Sequence, residues 1–363
     1  MDCSPPRRPP PSEYVAFQGP PPDLPGSPDG LVPPGYLKYP LNPVKSVQQP
    51  VGDGQEVTAV TYTTQAPPTA AEQNPAWQRV DQETGFSIKL PLTQLADYPT
   101  RLNTTIAGGA LPDLLSLGTG NGLGIAGLPA FLQSQCMDLT PLISGDAIKQ
   151  FPNLANLPPY AWRNAVFNNF SMRGVAPFPA NPSSKPVHHL GPGANLLTVL
   201  KKTSTDRATK LLGLLNYVSA PFGTQEYLTM WYGVEGAEFE FDQNHNPVVS
   251  PTGQTDLFIP WPNVGAAPTV LYDASSADYA RVMSRDVAVI EGMGIQNPVV
   301  GLYSPTKAQR AASLNQTMGD GLLAIIFGRS DMSSFDPLVT DWRSQGGDQI
   351  RSEFEQALAS SKP

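Results

Sequence analysis

Apolar and polar positions alternate from Glu56 to Tyr62 in EVTAVTY, a run rich in β-branched residues, and this two-residue period predicts a strand. The pattern then switches to helical spacing in NPAWQRVDQETG. Asn74 stands there as the N-cap, Pro75 as the first helical residue and Gly85 as the stop. FSIKLPL from Phe86 predicts a second strand, and LADYPTRLNTTIAGG a second helix that ends on Gly108 and Gly109. DLLSLG from Asp113 reads as a short buried strand. Strands separated by helices predict a parallel sheet with right-handed crossovers. Further along, GIAGLPAFLQSQC and SGDAIKQFPNLANLPPYAWRNAVFN read as short helices joined by proline turns. Strand-like pieces follow near Met172 to Ala176 and Asn195 to Val199. Apolar-periodic helices run from Asp206 to Val218 and from Thr224 to Trp231. SADYARVMSRDVAVIEGMGI, SPTKAQRAASLNQTMGDGLLAIIFG and SFDPLVTDWRSQGGDQIRSEFEQALAS, toward the end of the chain, read as amphipathic helices, and no internal repeat is present.

The first fifty residues break every such pattern. Fifteen of the 41 prolines fall there, which predicts an extended, polyproline-like leader. Its apolar residues Tyr14, Val15, Phe17, Tyr36 and Tyr39 are expected to lie along a domain. The formal net charge of -8 weighs against a nucleic-acid partner, because phosphate-binding surfaces are clustered and basic. No apolar run approaches the length of a membrane-crossing helix, and the N-terminus lacks the apolar core of a secretory signal. The two cysteines, Cys3 in the leader and Cys136 in a domain, differ too much in context to suggest a structural disulfide.

Few residues point to chemistry. His188, His189 and His245 show neither the helix-face nor the short closed spacing of metal ligands, and no metal or cofactor is expected. No Gly-x-Ser-x-Gly pentapeptide marks a nucleophile elbow. GTGNGLG from Gly118 lacks the lysine and hydroxyl residue of a P-loop and departs from dinucleotide-fingerprint spacing. Scattered carboxylates single out no catalytic pair. The aromatics are more telling: Tyr62 closes a strand, and Trp231, Tyr232 and Trp261 lie beside glycines and prolines. Rings so placed can stack on the apolar face of a sugar or plug a core, and sequence leaves both roles open.

In combination the ordered pieces resemble the extracellular solute-binding lipoproteins of bacterial ABC importers, in particular the sugar-type actinobacterial branch. The resemblance is carried by the leader YVAFQGPPPDLPGSPDGLVPPGYLKYPLNP and by LNTTIAGGALPDLLSL, in which a helix ends in Ala-Gly-Gly and Leu-Pro-Asp leads into a strand. FLQSQCMDLTPLISGDAIKQFPNLANLP and LLGLLNYVSAPFGTQEYLTMWYGVEGAEFEF also carry it. It implies an α/β, periplasmic-binding-protein-like (type II) bilobal fold, a solute held between the lobes and hinge closure on binding. It implies capture of a carbohydrate for an ABC permease at the extracellular face of the membrane, without catalysis. Cys3 would be the lipid-anchor residue, although the upstream signal is absent from this sequence. One departure stands out, because Phe167 to Asn169 run almost directly into Phe170 to Gly174 where the family has a long second lobe. The second lobe is therefore expected to be reduced or truncated.

These readings divide the chain into a leader or tether (1–54), a first α/β lobe (55–169), a crossing segment with the second-lobe remnant (170–200) and a C-terminal helical part packing on the first lobe (201–363). The expected ligand contacts are Thr63, Thr64 and Gln65 after the first strand, Thr119 and Asn121 after the third, and Trp231 and Tyr232 as stacking rings. The alternatives are a truncated remnant with weak or no binding, and a secreted carbohydrate-active enzyme.

Overall fold

The computed structural model describes residues 14–28, 30–118, 128–157, 184–190, 196–274, 276–295, 297–299 and 302–361. A four-stranded sheet of order β3-β1-β5-β7 organises the first part of the chain. β1 (Glu56–Val60) lies between β3 (Ser87–Lys89) and β5 (Leu114–Gly118) and is parallel to both. β7 (Leu196–Leu200) runs antiparallel to β5, with Leu114 opposite Leu200 and Gly118 opposite Leu196. The expected parallel sheet thus holds for three strands and fails at the fourth. A parallel neighbour needs a crossover that returns the chain to the same end of the sheet, and β7 is entered from the other end. Two further short strands, β2 (Tyr62–Thr63) and β4 (Thr93–Gln94), pair parallel just beyond β1.

Local signals account for the first helices. In α1 (Pro75–Thr84) the Asn74 side chain accepts from the Trp77 amide, Pro75 sets the first helical φ, and Gly85 ends the helix at φ 74°. α2 (Tyr98–Gly108) ends at Gly109, whose φ of 71° suits glycine. Sheet pleating sends alternate residues to opposite faces. Val57, Ala59, Leu114 and Leu200 therefore join the α1 residues Trp77 and Val80 in the larger core, which also holds Ile148 and Leu154. Val60, Leu115 and Leu117 instead meet Tyr98 and Leu102 of α2 and Phe131 of α3 (Leu128–Gln135). The Tyr98 hydroxyl lies at 3.0 Å from the Val60 carbonyl and 2.8 Å from that of Ser116.

α4 (Thr205–Val218) and α5 (Gln225–Tyr232) close the larger core, capped by the hydroxyls of Ser204 and Thr224. The leader packs against them. The Val15 amide donates to the Ala155 carbonyl at 2.9 Å, and Tyr36 pairs through its amide with Leu271 at 2.9 Å. Tyr36 and Tyr39 are buried against Phe222, with ring centroids 4.6 and 4.9 Å away. Glu226, in the first turn of α5 and only 1% exposed, accepts the amides of Ser46 and Val47 and the Ser46 hydroxyl at 2.8–3.1 Å. A second buried carboxylate, Glu238, accepts the Ala76 amide at the start of α1 and the Val234 amide. It precedes a hairpin of β8 (Phe239–Phe241) and β9 (Pro247–Val249), in which His245 takes φ 62°. FDQNHNPVV gave no sign of this hairpin, because its strands are three residues long and show no full alternation.

A second group of elements begins at β6 (His188–His189), which pairs parallel with β10 (Gly294–Ile295) after α6 (Ala277–Glu291). α7 (Pro305–Ile326) packs against α8 (Phe335–Trp342) and α9 (Asp348–Ser361). Glu353 of α9 caps α7, accepting from the Ser304 hydroxyl at 2.5 Å and from the Thr306 amide at 3.1 Å and hydroxyl at 2.7 Å. Desolvation pushes its pKa up, but these hydrogen bonds outweigh that and hold it at about 2. The contribution of this cap is present above the ordinary carboxylate range and is lost as pH falls through about 2.

Asp81 has the opposite sign. Burial raises its pKa to about 6, although its carboxylate accepts the Ile88 amide and lies near Lys89. The folded state therefore loses stability as pH rises from about 4 through 6. Asp81→Asn, which keeps the acceptor and drops the charge, is expected to raise unfolding free energy at pH 7.5 by about 1 kcal/mol after solvent screening. The gain should vanish at about pH 4, as read from urea unfolding at both pH values.

Candidate functional site

Because β1, β3 and β5 are parallel, their carboxyl ends open on one edge, the place where open α/β sheets receive ligands. Thr61 carries β1 into β2, where Tyr62 stands opposite Thr93 and Thr63 opposite Gln94. The Thr63 hydroxyl is turned inward, accepting the Gln65 amide at 3.1 Å and lying 3.3 Å from its carbonyl, and the residue is buried. This turn leaves the side chains of Thr64 and Gln65 exposed. Gln94 supports it, donating from Nε2 to the Gln65 carbonyl at 3.2 Å.

The turn Trp261–Asn263 lies against the same edge. Asn263 donates from Nδ2 to the Tyr62 carbonyl at 2.9 Å, the Ser116 hydroxyl donates to the Asn263 carbonyl, and the Thr198 hydroxyl donates to that of Val264 at 2.6 Å. Side chains of β5 and β7 and the backbone after β1 therefore hold one connection in place. Tyr62 is half-buried against Tyr98 with centroids 5.4 Å apart, and burial pushes its hydroxyl pKa up, so the phenol stays neutral at physiological pH. Thr61 Oγ1 is fully buried with no hydrogen-bond partner among the described residues. An orphaned hydroxyl of this kind costs about 1–3 kcal/mol.

The expected site residues fall into separate places. Thr63, Thr64 and Gln65 share the strand-end turn. Trp231 and Tyr232 close α5, in a different cluster. Trp231 is 43% exposed and stacks on Tyr227 at 5.6 Å, while Tyr232 packs edge-on against Tyr39 at 5.9 Å and Phe239 at 6.2 Å. Among the described residues no hydrogen bond or ring contact joins the two sets. Thr119, Asn121, Cys3 and the junction at Asn169 lie outside the described residues. Trp261 is a core plug, buried edge-on against Trp77 at 5.7 Å. His188 is bonded through Nε2 to the Ile290 carbonyl at 2.9 Å, and His245 stacks on Phe241 at 4.0 Å. Among the described residues no three His, Cys, Asp or Glu side chains gather as a metal site would need.

Gln94, Asn263 and Thr61 were missed. The strand-end rule that selected Thr63 could have reached Gln94 in LTQLADYP, since it ends a short strand before a helix. Asn263 joins the edge across 201 residues of chain, a separation that carries no local signal.

No protein-family profile matches the chain. Among curated proteins it is similar to the polygalacturonan/rhamnogalacturonan-binding protein YtcQ of Bacillus subtilis, 24% identical over 173 residues. That stretch covers 47% of this chain and 35% of the relative, so it spans about a third of the relative's length. Among solved structures, alginate-binding protein AlgQ2 without calcium ion superposes with a TM-score of 0.50 at 11% identity, covering 87% of this chain and 100% of the other. An HMO binding, ABC-transporter associated solute-binding protein from Bifidobacterium longum infantis superposes with a TM-score of 0.51 at 9% identity, covering 84% of this chain and 98% of the other. The chain has the bilobal type II solute-binding fold. A third structure with this solute-binding fold, the ABC-transporter substrate-binding protein FusA of Streptococcus pneumoniae as an EF-hand mutant with fructo-nystose, has a TM-score of 0.50 at 11% identity over 84% of this chain and 99% of the other. These structural neighbours are binding proteins.

The edge of the solute-binding fold yields a stability test. Thr61→Val keeps the shape of the side chain and removes the orphaned hydroxyl, so urea unfolding should show no loss and a gain of up to about 1 kcal/mol. Asn263→Ala removes the donor to Tyr62 and should cost about 1–2 kcal/mol in the same measurement.

Proposed function

We propose that this protein captures a carbohydrate outside the cell and delivers it to an ABC permease. The observation that carries the reading is the strand-end edge: exposed hydroxyl and amide side chains on a braced turn, at the position where this fold admits ligands. Thr64 and Gln65 supply hydrogen bonds to sugar hydroxyls, Thr63 shapes their turn, and Thr119 and Asn121, which follow β5 in sequence, are further contacts in this proposal. Trp231, with its ring open to solvent and backed by Tyr227, offers a stacking face in a cluster of its own, apart from this turn, and Tyr232 packs beneath it. The carbohydrate ligands named for FusA, and for the HMO-binding protein, support the solute class.

The second lobe in this proposal is small, formed by β6, β10 and α6 to α9, and it supplies the other wall of the cleft. Binding closes the lobes about the connections between them, and no bond is made or broken in the solute. Cys3 would tether the protein to the membrane as in lipoproteins of the actinobacterial branch, with the leader joining anchor to lobe. Among the described residues no helix is long and apolar enough to cross a membrane.

Isothermal titration of the full chain with neutral and acidic oligosaccharides tests the proposal. At least one member should bind with a Kd of about 10 μM or tighter, and chromatography should recover it unchanged. Gln65→Ala should weaken that binding about 5- to 30-fold with the unfolding temperature unaltered. An absence of heat and of thermal shift across the whole set contradicts the function.

A further inference from the structure

We propose that the tip of the α7–α8 hairpin pairs with the same tip of a second copy of this chain. The last turn of α7 and the residue after it read LLAIIF, from Leu322 to Phe327, with no polar position among them. A helix that buries one face keeps polar residues on the other, so a turn that is apolar on every side has a second surface to cover. Leu322 and Ile325 are half-buried, whereas Leu323, Ile326 and Phe327 are exposed. Met332 and Phe335, in the connection to α8 and at its first residue, are exposed as well. Ile326 is 73%, Met332 72% and Phe327 69% exposed, and no other large apolar side chain among the described residues is as open.

The hairpin is already closed behind these side chains. Below the tip, Gly321 of α7 lets Leu338 of α8 come so near that a Cβ at position 321 would stand 2.5 Å from it. At the tip the Phe327 amide donates to the Leu323 carbonyl at 3.0 Å, and the Arg329 and Ser330 amides both reach the Ala324 carbonyl, at 2.7 and 3.1 Å. Gly328, at φ 68°, makes the turn. The exposed residues stand outside the contact between the two helices, on a backbone that is tied in place.

Charge selects the occupant. Arg329, Asp331 and Asp336 lie among the apolar residues, and none of them has an ion pair among the described residues. The Arg329 guanidinium lies over the Phe327 ring at 5.6 Å, and the Asp331 side chain caps no amide of the turn Met332–Ser334. A two-fold axis brings residue i of one copy to residue j of the other and j to i. Arg329 of each copy then meets a carboxylate of the other, Asp331 or Asp336, while the apolar side chains meet across the axis. A lipid surface calls for a rim in which cations predominate, and this tip carries two carboxylates to one guanidinium. Apolar patches rimmed by polar residues mark association sites, and on monomers they reach about 300–600 Å². A tight complex hides about 800 Å² per partner, more than one hairpin tip offers, so this pairing is weak and reversible.

Sedimentation equilibrium of the full chain from about 1 to 300 μM should show monomer and dimer with a Kd of about 10–100 μM. Phe327→Asp should weaken the dimer at least about tenfold with the unfolding temperature unaltered, because that side chain already faces water. Arg329→Asp, and separately Asp331→Arg combined with Asp336→Arg, should each self-associate poorly, and a mixture of the two variants should form a heterodimer about as tight as the unaltered pair. A chain that stays monomeric to the top of that range overturns the proposal. So does a dimer that Phe327→Asp leaves intact, because its surface then lies elsewhere, or a mixture that pairs no better than either variant alone. Association that continues past the dimer overturns it too, since a two-fold contact closes on itself. Monomers that bind phosphatidylglycerol vesicles through Phe327 assign the tip to a lipid surface instead. Monomers in which a photo-crosslinker at position 327 captures residues 158–183 of the same chain assign it to that segment, and either result contradicts the pairing.

Discussion

A carboxylate held away from water by backbone amides governs the first lobe. Glu226 sits in the first turn of α5, where the positive end of the helix dipole favours an anion, and it takes the Ser46 and Val47 amides that no sheet or helix in the leader would satisfy. Asn153 extends the network, donating to the Ser46 hydroxyl at 2.9 Å and to the Asn216 carbonyl of α4 at 2.9 Å. One buried acid thus joins the leader, the 152–155 turn, α4 and α5. Removing it would leave amides buried without acceptors, a change that belongs to the large destabilising class.

The same solution recurs at Glu238, whose carboxylate takes an amide from the N-terminus of α1 and one from the chain after α5. Proline-rich segments cannot form ladders of their own, so their remaining amides need acceptors from elsewhere. Tyr36 and Tyr39 add apolar area to this fastening through their contact with Phe222. From Tyr14 onward, then, much of the low-complexity leader is a packed strap. With α5 and the Trp261 turn fixed from behind, the sheet can present its carboxyl edge at a defined geometry.

What was legible in the chain was what neighbouring residues decide. Asn74, Pro75 and Gly85 punctuate α1, and Gly109 ends α2, because caps and positive φ are local requirements. Tyr36 and Tyr39 likewise marked where the leader would pack, whereas Tyr14, expected to do the same, is exposed. The antiparallel direction of β7 was hidden, since direction depends on where residues 119–195 return the chain. At the site, the strand-end rule located Thr63 to Gln65 but could not tell that the Thr63 hydroxyl folds back on Gln65. Nor could it bring in Asn263, whose partner lies far away in sequence. Trp231 and Trp261 looked equivalent beside glycine and proline, yet one is open on Tyr227 and the other is sealed against Trp77. Only tertiary packing separates those two roles.

The central claim is that a buried Glu226 carboxylate makes the leader part of the lobe. Native-state amide hydrogen exchange at Ser46 and Val47 measures it most directly. The account predicts protection close to that of Ala59 and Leu115 in the sheet, and its collapse in Glu226→Ala. Exchange of the two amides at the rate of an unstructured chain in the unaltered protein would contradict it.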